Sequence, residues 1–265
     1  MLKNLTHLFI LTLMAAIFMN VDGAQADMVT DGLISYWSLD KDTIKGDTVK
    51  DIWGENDGTI SGNPKEIGGK IGEALEFDGD DSVDIPGTDS LNFAGKKELT
   101  VTAWVNAGDK EPVVGVVAGC CGTIVAQRDA NGWALRFDGR NGGQEMEFIV
   151  CPGWQGDGGF GVPTFKVGEW HYLAGVVDDN KLLLYVDGAL KRDMAFGGPI
   201  SSNGPETEIG HAGDGGFIGI IDEVGIYGKA LSEDEIKQNY ESKTFAAVNQ
   251  LNKLATCWGE IKASR

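Results

Sequence analysis

Histidine is scarce: the chain has three in 265 residues, and only His171 and His211 lie beyond the first few positions. No Gly-x-Ser-x-Gly elbow accompanies them, so a Ser-His-Asp hydrolase has little to be built from. Cysteine is nearly as rare. Cys120, Cys121, Cys151 and Cys257 contain no C-x-x-C spacing and have no neighbouring His, which argues against a structural zinc site. Basic residues are outnumbered, 22 against 40 acidic, for a net charge of −18. Such a chain repels nucleic-acid phosphates and anionic lipid heads and attracts divalent cations. Long apolar runs are missing too. The one uncharged run, residues 8–19 (LFILTLMAAIFM), falls short of the roughly 20 residues a spanning helix needs.

That run reads instead as the core of an export signal. Lys3 supplies a basic start, and Ala24-Gln25-Ala26 fits the small-x-small pattern for cleavage. The expectation is a signal peptide over 1–26, a mature chain from Asp27 without a transmembrane segment, and a secreted, periplasmic or cell-surface location. Disulfides can form there. Neighbouring cysteines rarely pair with each other, so a bridge from Cys120 or Cys121 to Cys151 is expected, with Cys257 taking the other or staying free.

What remains is rich in glycine, 39 residues, and in short alternating runs. Strands are predicted at 33–39, 73–78, 99–106, 122–128, 132–138, 144–150, 170–177, 181–186, 189–193 and 217–227, separated by Gly, Asp and Asn turns. Asn131-Gly132 is a strong hairpin signal, since both residues tolerate positive φ. In 99–106, Val101, Ala103 and Val105 share one face while Thr100, Thr102 and Trp104 share the other. Residues 152–161 (PGWQGDGGFG) can only be a loop. One helix is predicted, opened by Ser232 with Glu235 three positions on as a capping box. There is no internal repeat of solenoid period. The fold class is an all-β, two-sheet antiparallel sandwich with one short helix near the C-terminus. One domain is expected over 27–240, followed by a polar tail over 241–265.

Several strings in order carry a resemblance. They are Gly32-Leu33-Ile34-Ser35-Tyr36-Trp37, Glu76-Phe77-Asp78-Gly79, Leu99 to Val105, Trp170 to Val176, Leu184-Tyr185-Val186-Asp187-Gly188 and Gly219 to Tyr227, the last followed by Ala230-Leu231-Ser232. Together they resemble the laminin-G-like, concanavalin A-like jelly-roll family. The resemblance implies two packed sheets, one concave, and a binding or adhesion role toward a glycan or cell-surface glycoprotein. The segment 111–121 and the loop 152–161 depart from the family pattern. The same architecture hosts lectins and glycosidases, so the fold alone does not decide between them.

Three chemistries are weighed on the residues. A glycosidase needs two carboxylates across the sugar bond. Glu145 and Glu147 share a strand face, but no acid lies between them and no third follows at the right step. They are expected to point outwards as a solvated or groove-lining pair, opposite Met146, Phe148 and Val150. Calcium takes six to eight oxygens from flexible acidic loops. The resemblance implies a structural calcium near the first and last strands, and the expected ligands are Asp222 with Asp51, Asn56 and Asp78. Sugar binding needs an aromatic platform beside planar polar groups. Trp154 and Phe160, with Gln155, Asp157, Arg140 and Asn141, form the candidate ligand site. Trp37, Trp104 and Trp170 are expected in the core. The best functional expectation is an exported, non-catalytic binding module, with a structural or adhesive protein-interaction domain as the alternative and a glycoside hydrolase behind both.

Overall fold

The computed structural model describes residues 27–108, 113–115, 120–128, 131–140, 145–158, 160, 162–163, 166–204, 206–213 and 215–242. The expected signal peptide, the candidate ligand Asn141, Cys257 and the tail beyond Ser242 lie outside the described residues.

The main strands are β1 (Leu33–Trp37), β2 (Gly58–Ser61), β3 (Glu73–Asp78), β4 (Ser82–Ile85), β5 (Glu98–Ala107), β6 (Cys120–Arg128) and β7 (Gly132–Asp138). They continue with β8 (Glu145–Val150), β9 (Trp170–Asp178), β10 (Lys181–Val186), β11 (Ala189–Ala195), β12 (Thr207–Ile209) and β13 (Gly215–Tyr227). The helix α1 spans Glu233–Glu241. The predicted strands are all present within a few residues of their expected limits.

The strands form two sheets. In the first, β13 pairs on one side with β1 and β3 in succession and on the other with β5; β9, β10 and β11 follow, all antiparallel. The second runs β2, β4, β12, β6, β7, β8 through antiparallel pairs. The start of β13 also reaches into the second sheet, through Gly216 beside Thr123 and through the pairing of Gly215–Phe217 with Val113–Gly115. One strand thus staples the sandwich together.

The period-2 pattern decides what lies between the sheets. Val101, Ala103 and Val105 join Trp37, Phe77, Leu135, Phe137, Phe148 and Phe217 in the main core. The other face of β5 is not left to water. Trp104 packs with Tyr172, Tyr227, Ile236 and Tyr240 under α1. The helix begins as its sequence requires: the Ser232 side chain accepts from the Glu235 N–H at 3.3 Å, while Glu235 accepts from the Ser232 N–H at 2.8 Å. Trp170 differs from expectation. It is only half-buried, at the start of β9, packed against the cluster beneath the helix.

Facing sheets approach closely where a side chain is missing. A Cβ on Gly175 of β9 would stand 2.4 Å from the Phe148 ring of β8. The ring is enclosed in the core and has nowhere to move. Gly175→Ala should therefore destabilise the protein by about 1–3 kcal/mol, the usual cost of overpacking, read as a lower urea midpoint at unchanged slope.

Candidate functional site

The outer face of the second sheet carries an ion network of which sequence reasoning singled out Arg140, Glu147 and Asp157 but not Arg136 or Asp138. Along β7, Ala134, Arg136 and Asp138 alternate with core residues, and along β8, Glu145, Glu147 and Ile149 do the same. Register sets Arg136 opposite Glu147, Ala134 opposite Ile149 and Asp138 opposite Glu145. Arg136 donates from Nε and Nη2 to Glu147 Oε2 at 3.2 and 3.0 Å, and its Nη2 donates to Asp157 Oδ1 at 2.5 Å. Glu147 Oε1 accepts the Gly158 N–H at 3.0 Å. Arg140 binds Asp138 through its backbone N–H at 2.8 Å and through its guanidinium, which also reaches Asp157. Oxygens of Asp138, Glu147 and Asp157 lie within 4.8 Å of one another.

The charges are unequal in their surroundings. Burial raises the Glu147 carboxyl to about 7, with the Asp138 charge adding and the Arg136 guanidinium opposing. For Asp138, burial also works against ionisation, but hydrogen bonds and charge from Arg140 outweigh it and hold its carboxyl below the usual range. Glu147 is fully buried, whereas Asp157 and Arg140 keep 38% and 34% of their side chains in solvent. The loop 151–158 is therefore fastened over the sheet from below while its charged rim stays accessible.

Trp154 in this loop has φ +48, and its ring rests half-buried on Ala126, Ala134, Ile149 and Ala212. The Arg128 guanidinium carbon stands 4.3 Å from the ring centroid, a cation–π contact. Of the expected ligand residues, Trp154, Asp157 and Arg140 are brought to one surface. Gln155 is spent on structure: its Oε1 accepts the Gly197 N–H at 2.7 Å and its Nε2 donates to Pro152 O at 3.0 Å. Phe160 is a correction. It is 3% exposed and belongs to the main core, because the chain turns inward after the loop. Glu147 is another correction: the expected solvated acid is sealed beneath the loop, while Glu145 stays half-buried.

The cysteines also depart from expectation. Cys120 and Cys121 are bonded to each other, and Cys151 is free and buried. Strand register explains why Cys151 is left out. Cys120 stands opposite Asp138 at one end of β7, whereas the Cys151 N–H bonds to Gly132 O at the other end. Six strand residues, about 20 Å, separate the two ends. Of the two histidines, His171 Nδ1 pairs with Asp187 at 2.9 Å, and His211 lies on a short strand against β13.

A family model described as the concanavalin A-like lectin/glucanases superfamily matches residues 77–237, more than half of the chain. The chain belongs to this superfamily. No curated protein matches it. Among solved structures, domain 4 of AbnA, an extracellular arabinanase from Geobacillus stearothermophilus in complex with arabinotriose, superposes with a TM-score of 0.58 at 20% identity, covering 82% of this chain and 99% of that one. The binding domain of Paraclostridial Mosquitocidal Protein 1 gives 0.58 at 16% identity, covering 79% and 52%. The binding domain of botulinum neurotoxin DC in complex with rat synaptotagmin II gives 0.56 at 13% identity, covering 81% and 52%. The chain thus spans about half the length of these toxin chains. At such identities the likeness is one of fold.

The superfamily resemblance implied a calcium site, and the four expected ligands do not converge on one. Asp51 is occupied as a turn cap, its Oδ1 accepting the N–H groups of Tyr36, Trp53 and Gly54 at 2.8–3.0 Å and its Oδ2 that of Asn56 at 3.1 Å. Asn56 Oδ1 accepts from Thr88 and Ser90. Asp78 is exposed and sits opposite Ile218, four residues and about 13 Å of strand from Asp222. Asp222 itself fits a cation. It lies fully buried in a bulge of β13, beside Glu223 at φ +54. Its Oδ2 accepts the Lys70 and Ile71 N–H groups at 2.8 and 3.1 Å, while Oδ1 is buried without a hydrogen-bond partner. Burial, with the nearby Asp40 charge, raises its carboxyl to about 8 against the pull of those N–H dipoles.

Such raised carboxyls make stability pH-dependent with a definite sign. Below about pH 4 both folded and unfolded states hold the Asp222 proton; between about 4 and 8 only the folded state does. Stability therefore falls as pH rises through that window, and Glu147 and Glu208, each raised to about 7, act in the same direction. In the presence of chelator, Asp222→Asn should flatten the decline between pH 4 and 8, measured by urea unfolding at stepped pH.

Proposed function

We propose that this chain is an exported, non-catalytic binding module that recognises a carbohydrate, free or on a cell-surface glycoprotein, at the rim of the 151–158 loop. The observation that carries the reading is the braced, partly exposed Trp154 on the same sheet face as the Arg140–Asp157 pair. An aromatic face fits the C–H side of a sugar ring, while the guanidinium and carboxylate suit its hydroxyls. The charge network beneath fixes those groups before a ligand arrives, which reduces the ordering cost of binding. The likeness to a solved domain in complex with arabinotriose is in keeping with this, through the fold alone.

The non-catalytic part rests on Glu147. Its raised proton affinity would suit general-acid work, as would that of Glu208, which register places on the same face, yet Arg136 and Gly158 engage both Glu147 oxygens and Glu147 is sealed from solvent. Export rests on the composition of residues 1–26. A calcium ion held by Asp222, with Asp40 nearby, would supply the positive charge that its buried carboxylate lacks.

A glycan array including arabino-oligosaccharides tests the reading. Binding is expected, and Trp154→Ala should weaken it by roughly fivefold, equivalent to about 1 kcal/mol of stacking, with the circular-dichroism spectrum unchanged. A clean array together with capture of a protein partner would favour the adhesive alternative. For the metal, melting with calcium and then with excess chelator is decisive. At a hundredfold excess over Kd, calcium should add about 2.7 kcal/mol of stability, and identical melts would remove the ion from the account.

A further inference from the structure

On the opposite side of the sandwich, a groove of about 480 Å³ opens between the loop after residue 68 and the end of α1, lined by Lys70, Ile71, Trp104, Tyr240, Glu241 and Ser242. A small cavity, with room for about one water, abuts it and shares Ile71, Trp104 and Ser242; Tyr36, Thr102, Tyr172, Glu223 and Asn239 also line it. The Trp104 ring is held by Tyr172 and Tyr240, with centroids 5.3 and 5.5 Å away. Over its remaining face lies the Lys70 ammonium, 4.3 Å from the centroid.

We propose that this groove is a binding site for an organic ammonium group, and that Lys70 is a built-in occupant of the position such a ligand takes. Three features carry this beyond the sugar reading, from which it is independent. First, the ring already serves as a cation acceptor: among the described residues Lys70 forms no ion pair, and its ammonium sits on Trp104 instead. Aromatic faces attract cations through the ring quadrupole. Second, the site is acidic around that face. Glu241 lines the groove, and the net charge of −18 concentrates cations near the surface. Third, the occupant is removable. Lys70 is exposed, and only its backbone N–H is tied down, to Asp222. Swinging its flexible stem aside leaves an aromatic face in a groove with space for a small ligand. The recognised chemistry is a primary or methylated ammonium on a compact apolar body. Sugar hydroxyls at the other sheet do not compete for it.

The test uses the whole protein and choline as probe, followed by the Trp104 indole N–H resonance during titration at constant ionic strength. Saturable shifts with choline are expected, and none with its uncharged tert-butyl analogue, which matches it in shape. Lys70→Ala keeps the backbone donor to Asp222 and should tighten choline binding by roughly threefold, the scale of an exposed cation–π contact. Equal shifts with the neutral analogue, or choline binding that is unchanged or weaker in Lys70→Ala, would overturn the proposal. Ethanolammonium as a second probe distinguishes a primary from a quaternary preference within the same class. Trp154→Ala should leave choline binding intact, so failure of the glycan reading and failure of this one are told apart.

Discussion

The buried pair Arg136–Glu147 is the interaction on which the candidate site depends. Two charges taken out of water are costly unless each is matched and its remaining valences are satisfied. Here the matching comes from the loop: Gly158 donates to one carboxylate oxygen and Asp157 accepts from the guanidinium. The sheet cannot hold this pair cheaply without the loop, and the pair adds to the anchors the loop has at Cys151, Trp154 and Gln155. Gly153 and Gly158 take positive φ, as a chain doubling back so tightly requires. With the loop fixed, Trp154 has a floor of small residues to lie on, and Arg140 and Asp157 are left at the rim. Rigidity below and accessibility above are one consequence of a single neutralised charge.

The two outer faces of the sandwich are finished differently. Over the second sheet, an ion network fastens a loop. Over the first, α1 covers an aromatic cluster, and tyrosines are hydrogen-bonded within it: Tyr36 to Glu223, and Tyr227 to Asn239 at 2.9 Å. Burial first, and the neighbouring Asp222 charge second, raise the Glu223 carboxyl well above its ordinary value. The bulge in β13 is what places Asp222 and Glu223 side by side in the fold, so the strand that joins the two sheets also carries the most strongly perturbed carboxyls.

Much of the sandwich could be read from alternation. Met146, Phe148 and Val150 are core residues, as their period-2 spacing implies, and the Ser232–Glu235 capping box starts the helix where expected. The loop at 152–158 and its half-exposed Trp154 were equally legible, because glycine-rich sequence cannot pair as a strand. Arg136 and Glu147 were harder. Alternation did put Glu147 on the face away from the core, but that face was read as solvent or groove, since nothing local announces that the loop 151–158 folds back over it; Arg136 was not singled out. Phe160 failed for the converse reason: a loop residue was assigned outward, although the chain re-enters the sandwich there. The calcium ligands were gathered from acidic turns, yet Asp51 and Asn56 are consumed by the turns that contain them. Local capping competed with metal binding and won. Asp222 differs in having a buried oxygen that no neighbour satisfies.

The central claim is that ligand recognition occurs at the Trp154–Arg140–Asp157 rim, and a titration of the isotopically labelled protein with arabinotriose, read at the tryptophan indole N–H groups, addresses it most directly. The account predicts that the Trp154 resonance shifts progressively to saturation while the buried Trp37, Trp104 and Trp133 resonances stay in place. Saturable shifts confined to another indole, with Trp154 unmoved, would contradict it.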